Sequence, residues 1–308
     1  MKNDEIIDAI LAEPAFSPYI AHIRTLEASL GTYTSFPEDL DPRLASALRN
    51  KGIHHLYTHQ EAVWKAARSG KHSIVVTPTA SGKTLCYNLP TLQSLLEDST
   101  ARALYLFPTK ALSQDQQAEL NELVLGSSSV PAAGSVPLPI KVATYDGDTP
   151  DSLRVASRDS GRIIVSNPDM LHAGILPNHP KWIKFFSNLH YVVIDEAHTY
   201  RGIFGSHVAN VIRRLKRIAA FYGSKPVFIL CSATIGNPKE LAQMLIEEEL
   251  VLVGKSGAPR GKKKVILYNP PLLDAVQGIR RSVMTESQRW ALAFLRAGIK
   301  TILLPILG

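Results

Sequence analysis

Short apolar runs recur along the chain at Ser73 to Val76, Ala103 to Phe107, Ile140 to Thr144, Ile163 to Val165, Tyr191 to Ile194, Val227 to Leu230 and Leu250 to Val253. Their hydrophobicity is continuous rather than alternating, which marks strands buried on both faces, and the stretches between them carry helical spacing. The pattern predicts βαβ units: an α/β domain with a mainly parallel sheet and helices on both faces. Ligands in such sheets bind beyond the carboxyl ends of the strands, so the residues after each run are where chemistry is expected.

On the N-terminal side, Ile6, Ile7, Ile10 and Leu11 stand at helical spacing before Pro14, and a weaker amphipathic stretch runs through Ile20, Ile23, Leu26 and Leu30. Residues 1–35 are therefore expected as a helical appendage. Asp41-Pro42 followed by Leu44 and Leu48 predicts a capped helix that stops at Gly52, and Gln60 opens another through Val63 and Trp64. The main domain is expected over residues 36–254, interrupted by a solvated loop from Gly126 to Pro139. Residues 255–264 read as a basic, turn-rich linker. Beyond it, a strand at Val265 to Tyr268, a helix over residues 282–297 and a strand at Ile299 to Ile306 predict the start of a second domain. Its roughly 50 residues fall short of the usual 100 to 150.

Composition narrows the partners. The 308 residues are 45% hydrophobic, ample for a core, and 34 Lys plus Arg against 27 Asp plus Glu leave a net charge of +7. That balance favours an anionic partner such as nucleic acid. The N-terminus carries Asp4 and Glu5, and no apolar run approaches the roughly 18 residues that span a bilayer, so a cytoplasmic protein without membrane contact is expected. Cys86 and Cys231 are too few for a disulfide framework and read as small core residues.

The stretch Ser73-Ile-Val-Val-Thr-Pro-Thr-Ala-Ser-Gly-Lys-Thr84 has the build of a phosphate-binding loop. A turn of Thr79, Ala80, Ser81 and Gly82 lets backbone N–H groups converge on phosphate oxygens at a helix N-terminus. Lys83 would reach the β/γ-phosphates and Thr84 would hold Mg²⁺. Thr77 stands where the usual pattern has its first glycine, and an ordinary strand-to-helix turn is the alternative. The run Tyr191-Val-Val-Ile-Asp-Glu-Ala-His198 ends in two adjacent carboxylates. Asp195 is placed to hold Mg²⁺ opposite Thr84, and Glu196 to deprotonate an attacking water.

Ala-Ser-Gly-Lys-Thr84 with Asp-Glu-Ala-His198 resembles the superfamily 2 helicases of the DEAH-box type. Other motifs of that group stand in order. Leu56-Tyr-Thr-His-Gln60 is similar to the Q motif, Phe107-Pro-Thr-Lys-Ala-Leu112 to motif Ia, Ser166-Asn-Pro-Asp169 to motif Ib and Ser232-Ala-Thr234 to motif III. The stretches Tyr145 to Thr149 and Asp195 to His207 are similar to DNA-repair helicases of the bacterial mitomycin-repair type and their RecQ-like eukaryotic relatives.

The resemblance implies a RecA-like P-loop fold, the cofactors ATP and Mg²⁺, and 3′ to 5′ movement on single-stranded or tailed DNA. By the same resemblance Gln60 pairs with an adenine edge, a geometry open to any amide. Pro108, Thr109, Lys110, Ser166, Asn167, Pro168 and Asp169 would meet the nucleic-acid backbone, with helix capping by Thr109 and Asn167 as the companion explanation. Ser232 and Thr234 would hydrogen-bond His198 and couple the two sites. His54, His55 and His59 read as solvated or capping residues, and Arg213, Arg214, Lys216 and Arg217 as a solvated face before a nucleic-acid stripe.

The resemblance covers roughly residues 36 to 308 and fits one motor domain plus the opening of a second, without motifs IV to VI. In such helicases the second RecA-like domain supplies arginine fingers, whose loss typically costs about 10³ to 10⁵ in rate. The final Ile-Leu-Leu-Pro-Ile-Leu-Gly308 suggests a truncated or frame-shifted copy. The sequence thus leaves three expectations open: the motor half of a DNA helicase, a half-motor that binds ATP and nucleic acid without turnover, or an RNA helicase fragment.

Overall fold

The computed structural model describes residues 3–125 and 137–300. They gather into two compact units, one drawn from residues 30–259 and one from residues 3–29 with 260–300.

The larger unit is built on seven strands: β1 (His72–Val76), β2 (Arg102–Leu106), β3 (Val142–Thr144), β4 (Ile163–Ser166), β5 (Leu189–Ile194), β6 (Val227–Ser232) and β7 (Leu250–Val253). They lie in the order β7-β1-β6-β5-β2-β4-β3, every neighbouring pair parallel. This is the RecA-like sheet the sequence predicts. Successive side chains serve opposite cores: Val75, Tyr105 and Val193 pack on one face with Leu48, Trp64, Leu89 and Leu92. Ile74, Leu104 and Val192 pack on the other with Trp182, Phe186, Val208 and Ile212. Full burial of each such side chain contributes about 1.5–3 kcal/mol, which is why these runs tolerate no polar alternation.

Register sets the strand tips side by side. Val76 pairs with Ser232, Ile194 with Leu230, and Leu106 with both Ile194 and Ser166. The loops leaving β1, β2, β4, β5 and β6 therefore open on one edge, the carboxyl edge of the sheet. The helix Pro42–Asn50 forms as expected, its N-cap Asp41 accepting from the Arg43 N–H at 2.8 Å and Gly52 following at φ +77°. Among the described residues no helix is long and apolar enough to cross a membrane.

In the smaller unit the helix Asn3–Ala12 matches expectation, whereas the stretch from Ile20 does not. Ile20–Leu26 is a strand, antiparallel to Lys263–Tyr268, and not a helix. Its β-branched Ile20, Ile23 and Thr25 suit a pleated strand, and the partner arrives from the far end of the chain, where local periodicity gives no warning. Lys263 and Lys264, read as linker, belong to that strand, and Lys264 pairs with Asp8. The helix Val283–Arg296 carries Trp290 against Phe16 and Tyr268. Most of the strand expected over residues 299–306 and most of the loop over residues 126–139 lie outside the described residues.

Candidate nucleotide and nucleic-acid site

The loop after β1 turns on two residues with positive φ, Ala80 at +59° and Gly82 at +76°, before the helix Lys83–Glu97 begins. A Cβ at position 82 would stand 2.8 Å from the Gln60 Nε2, so the close approach as well as the left-handed backbone requires glycine. Thr77, by contrast, has no positive φ, which removes the need for glycine there. Its buried hydroxyl lies 2.6 Å from that of Ser81 and closes the base of the loop. Lys83 donates its ammonium to the carbonyls of Thr77 at 2.9 Å and Pro78 at 3.1 Å, which holds the charge inside the turn. Thr79 and Ala80 are exposed at the tip.

Two buried side chains clamp this loop from the helix Thr58–Arg68. Gln60 accepts the Tyr57 N–H at 2.8 Å and donates to the Gly82 carbonyl at 3.0 Å. Both ends of its amide are engaged within the protein, leaving one lone pair and one N–H for anything else. His59, expected as solvated or capping, is buried instead. Its Nδ1 accepts the Gly257 N–H at 3.1 Å, which leaves Nε2 to carry the proton donated to the Ser81 carbonyl at 3.1 Å. Burial holds the His59 pKa below the ordinary imidazole value. Gly257, expected in a basic, turn-rich linker, is needed for that contact, since a Cβ there would lie 2.4 Å from the Thr58 hydroxyl. His54 and His55 are exposed as expected.

The carboxylates leave the tip of β5. Asp195 is buried, and desolvation raises its pKa against the lowering effect of the Glu196 N–H, which donates to its Oδ1 at 2.8 Å. Its Oδ2 faces the Tyr87 hydroxyl at 3.3 Å. The one Tyr87 proton lies between that oxygen and the nearer Gln116 Oε1 at 2.9 Å, and the Thr84 hydroxyl donates to the same Gln116 oxygen at 3.1 Å. Thr84 and Asp195 are thus brought together through Tyr87 and Gln116. Glu196 sits at φ +49°, a conformation that costs a non-glycine residue about 1–2 kcal/mol. Its Oε2 is buried and accepts no hydrogen bond. The His198 Nδ1 lies 3.1 Å away but is turned to the Ala233 N–H at 3.3 Å.

That last contact revises one expectation. His198 meets motif III through a backbone N–H, while the Ser232 hydroxyl donates to the Ala233 carbonyl at 2.8 Å and Thr234 is exposed. A second revision concerns Ser166, which is buried and donates to the Tyr145 carbonyl at 2.6 Å, away from the surface. Pro168 is buried as well. Asn167 caps its short helix by accepting the Met170 N–H at 2.8 Å, and Thr109 accepts the Leu112 N–H at 3.4 Å. The exposed members of the expected backbone-binding set are Thr109, Lys110 and Asp169, with Pro108 and Asn167 half-buried. Lys110 pairs with Asp148 at 2.5 Å. Of the basic run, Arg213 pairs with Glu247 and Lys216 with Glu248, as a solvated face would.

Sequence reasoning missed Tyr87, Gln116 and Gly257. A buried Tyr and a helix Gln carry no motif, and their roles arise only where the elements meet. Among the described residues no three His, Cys, Asp or Glu side chains cluster as a metal cage. Oxygen donors Thr84 and Asp195 suit Mg²⁺ nonetheless, because that ion is ordinarily held by one or two protein oxygens together with substrate phosphates and water. Cys86 and Cys231 are buried free thiols whose pKa burial pushes up.

Comparison with known proteins agrees with this geometry. Residues 57–241 match the family described as DEAD/DEAH box helicase. The chain is 54% identical over 266 residues to an uncharacterised ATP-dependent helicase of Bacillus subtilis, YprA, covering 86% of this chain and 34% of that protein. It is 37% identical over 306 residues to the ATP-dependent helicase hrq1 of Schizosaccharomyces pombe, covering 97% of this chain and 28% of that one. The solved structure of the DUF1998 helicase MrfA bound to DNA and AMPPNP superposes with a TM-score of 0.86 at 49% identity, over 95% of this chain and 39% of that chain. The chain therefore spans between a quarter and two fifths of these relatives, as the shares of 28% and 39% show. On its motifs, its sheet order and these matches, the chain belongs to the DEAD/DEAH box helicases of superfamily 2.

Proposed function

We propose that this chain is the ATP-binding motor segment of a DNA helicase that moves 3′ to 5′. The observation that carries the reading is the convergence at one sheet edge of the loop around Lys83, the carboxylates Asp195 and Glu196, and the exposed Lys110. Backbone N–H groups of residues 79–83 receive the β- and γ-phosphates, and Lys83 leaves the Thr77 and Pro78 carbonyls for them. Thr84 and Asp195 hold Mg²⁺, which when bound neutralises phosphate charge. Glu196 takes a proton from water through its unbonded Oε2 as the water oxygen attacks the γ-phosphorus. The bond from that phosphorus to the bridging oxygen breaks and its electron pair leaves with ADP. Gln60 reads adenine with the N–H and lone pair it has left.

Thr109 and Lys110 meet the nucleic-acid backbone without reading sequence. Support for DNA comes from the relative MrfA, whose solved structure holds DNA. Full activity in this reading requires a second RecA-like domain to bring arginine to the developing charge, worth about 10³ to 10⁵ in rate. The test is nucleotide binding and hydrolysis by the purified chain. Lys83→Ala is expected to abolish binding, and Glu196→Gln to keep binding while lowering any measurable turnover by about 10² to 10⁴. Unchanged binding in the first and unchanged turnover in the second would sink the assignment. Competition between matched DNA and RNA strands tests the choice of DNA.

A further inference from the structure

The helix Lys110–Leu125 starts at the exposed Lys110 and carries, about 9 Å along its axis, Gln116. The Gln116 Oε1 is the acceptor on which two hydroxyls converge, Thr84 at 3.1 Å and Tyr87 at 2.9 Å. A threonine hydroxyl has one proton and two lone pairs, so a proton given to Gln116 leaves both lone pairs available to a cation. Tyr87, held by the same oxygen, stands 3.3 Å from the Asp195 Oδ2. One side-chain carbonyl therefore fixes the orientation of Thr84 and competes with Asp195 for the single Tyr87 proton, so that all three groups share one hydrogen-bonded cluster.

We propose that Gln116 is the positioning residue of the magnesium–nucleotide site, acting through Thr84 and Tyr87; this rests on the nucleotide-binding reading above. Donors outside the coordination shell orient the groups inside it, and their loss typically costs about ten- to a hundredfold in metal affinity. Gln116 also ties that site to the helix that presents Lys110, and the next residue, Gln117, accepts the Thr144 hydroxyl on β3, so the helix is held on two sides at this point. The Thr84 hydroxyl also meets the Tyr87 hydroxyl, which Gln116 itself engages, so both of its contacts lead to the same side chain.

The test measures affinity for a non-hydrolysable ATP analogue with Mg²⁺ and again with EDTA. Wild-type affinity is expected to rise with Mg²⁺. Gln116→Met, which keeps the length and removes the acceptor, is expected to lose about ten- to a hundredfold of that rise while its affinity in EDTA is unchanged. Gln116→Glu, which keeps an acceptor oxygen, is expected to retain the rise. An unchanged Mg²⁺ effect in Gln116→Met, or equal weakening with and without Mg²⁺, overturns the proposal, the latter because mere loosening of the fold would produce it. Lys83→Met separates the two readings: if the wild type binds no nucleotide, or binds as well with Lys83→Met, the nucleotide site itself fails and this inference falls with it.

Discussion

The Lys83 ammonium donates to the Thr77 carbonyl at 2.9 Å, so the side chain expected on phosphate is held by its own loop. Hydrogen bonds from a charged group contribute about 1.5–3 kcal/mol, and Lys83 makes a second to Pro78. Lys83→Met is therefore expected to lower stability without nucleotide, by an amount of that order, besides removing nucleotide binding. Urea unfolding of the two proteins checks it: equal midpoints would show that the loop contacts contribute nothing.

His59 gives the phosphate loop a pH dependence. Burial keeps its folded pKa below the ordinary value, so on acidification the unfolded chain takes up a proton before the native protein does. The stabilising contribution is complete above the unfolded value, near 6.5, and is lost as pH falls below it. His72, lowered by burial and accepting the Phe228 N–H at 3.0 Å, adds in the same direction. Unfolding free energy measured from pH 7.5 down to 5 is expected to fall. His59→Phe should be less stable at neutral pH yet show a shallower slope, and an unaltered slope would show that His59 does not titrate with folding.

The sheet was legible because each strand is buried on both faces and its run is continuous, as at Ile74 to Val76 and Val192 to Ile194. The site motifs were legible because the loop and the carboxylates are contiguous in sequence. What escaped were residues whose partners are distant. His59 depends on Gly257, Thr84 on Gln116, and the strand from Ile20 on Lys263 to Tyr268. Ser166 was misplaced for a related reason: a polar residue at a strand tip reads as exposed until the neighbouring strand supplies the Tyr145 carbonyl that buries it.

Gly82→Ala tests the close approach at the loop. The backbone at φ +76° and the 2.8 Å contact with the Gln60 amide both oppose a methyl group. A left-handed non-glycine residue costs about 1–2 kcal/mol, and here the clash also dislodges Gln60 from the Gly82 carbonyl. Reduced stability together with weakened nucleotide binding is expected. A variant that binds nucleotide normally would mean the Gln60 clamp is dispensable.

Asp148 stands on Lys110 at 2.5 Å, and the pair raises the Lys110 pKa through that hydrogen bond. If Lys110 meets phosphate, the carboxylate competes with DNA for it. Asp148→Asn is then expected to bind single-stranded DNA several-fold more tightly at low salt, with a steeper salt dependence. One extra phosphate contact adds about 0.7 to the logarithmic slope on a single strand. Fluorescence anisotropy across a salt series reads both quantities, and an unchanged slope would place Lys110 off the nucleic acid.

Among the described residues of the smaller unit, Glu286 is the buried charge, 2% exposed. Desolvation pushes its carboxyl up, but donors outweigh it: the Tyr268 hydroxyl at 2.6 Å, Arg281 at 2.8 Å and Arg289 at 2.9 Å hold its pKa below the ordinary value. The same contact pushes the Tyr268 hydroxyl up to about 12, with burial the larger cause. Glu286→Leu would leave three donors without their acceptor, at about 1–3 kcal/mol for each group that stays buried. Glu286→Gln keeps an acceptor and should lose less. Because the carboxylate's folded pKa is depressed, its contribution is present above the unfolded value and disappears as pH falls through the folded one. Hydrogen exchange in the strand Lys263–Tyr268 and the helix Val283–Arg296 reports the unit directly. Protection should drop in Glu286→Leu while the strands around Lys83 keep theirs, and a loss shared equally by both units would show that Glu286 does not act within its own unit alone.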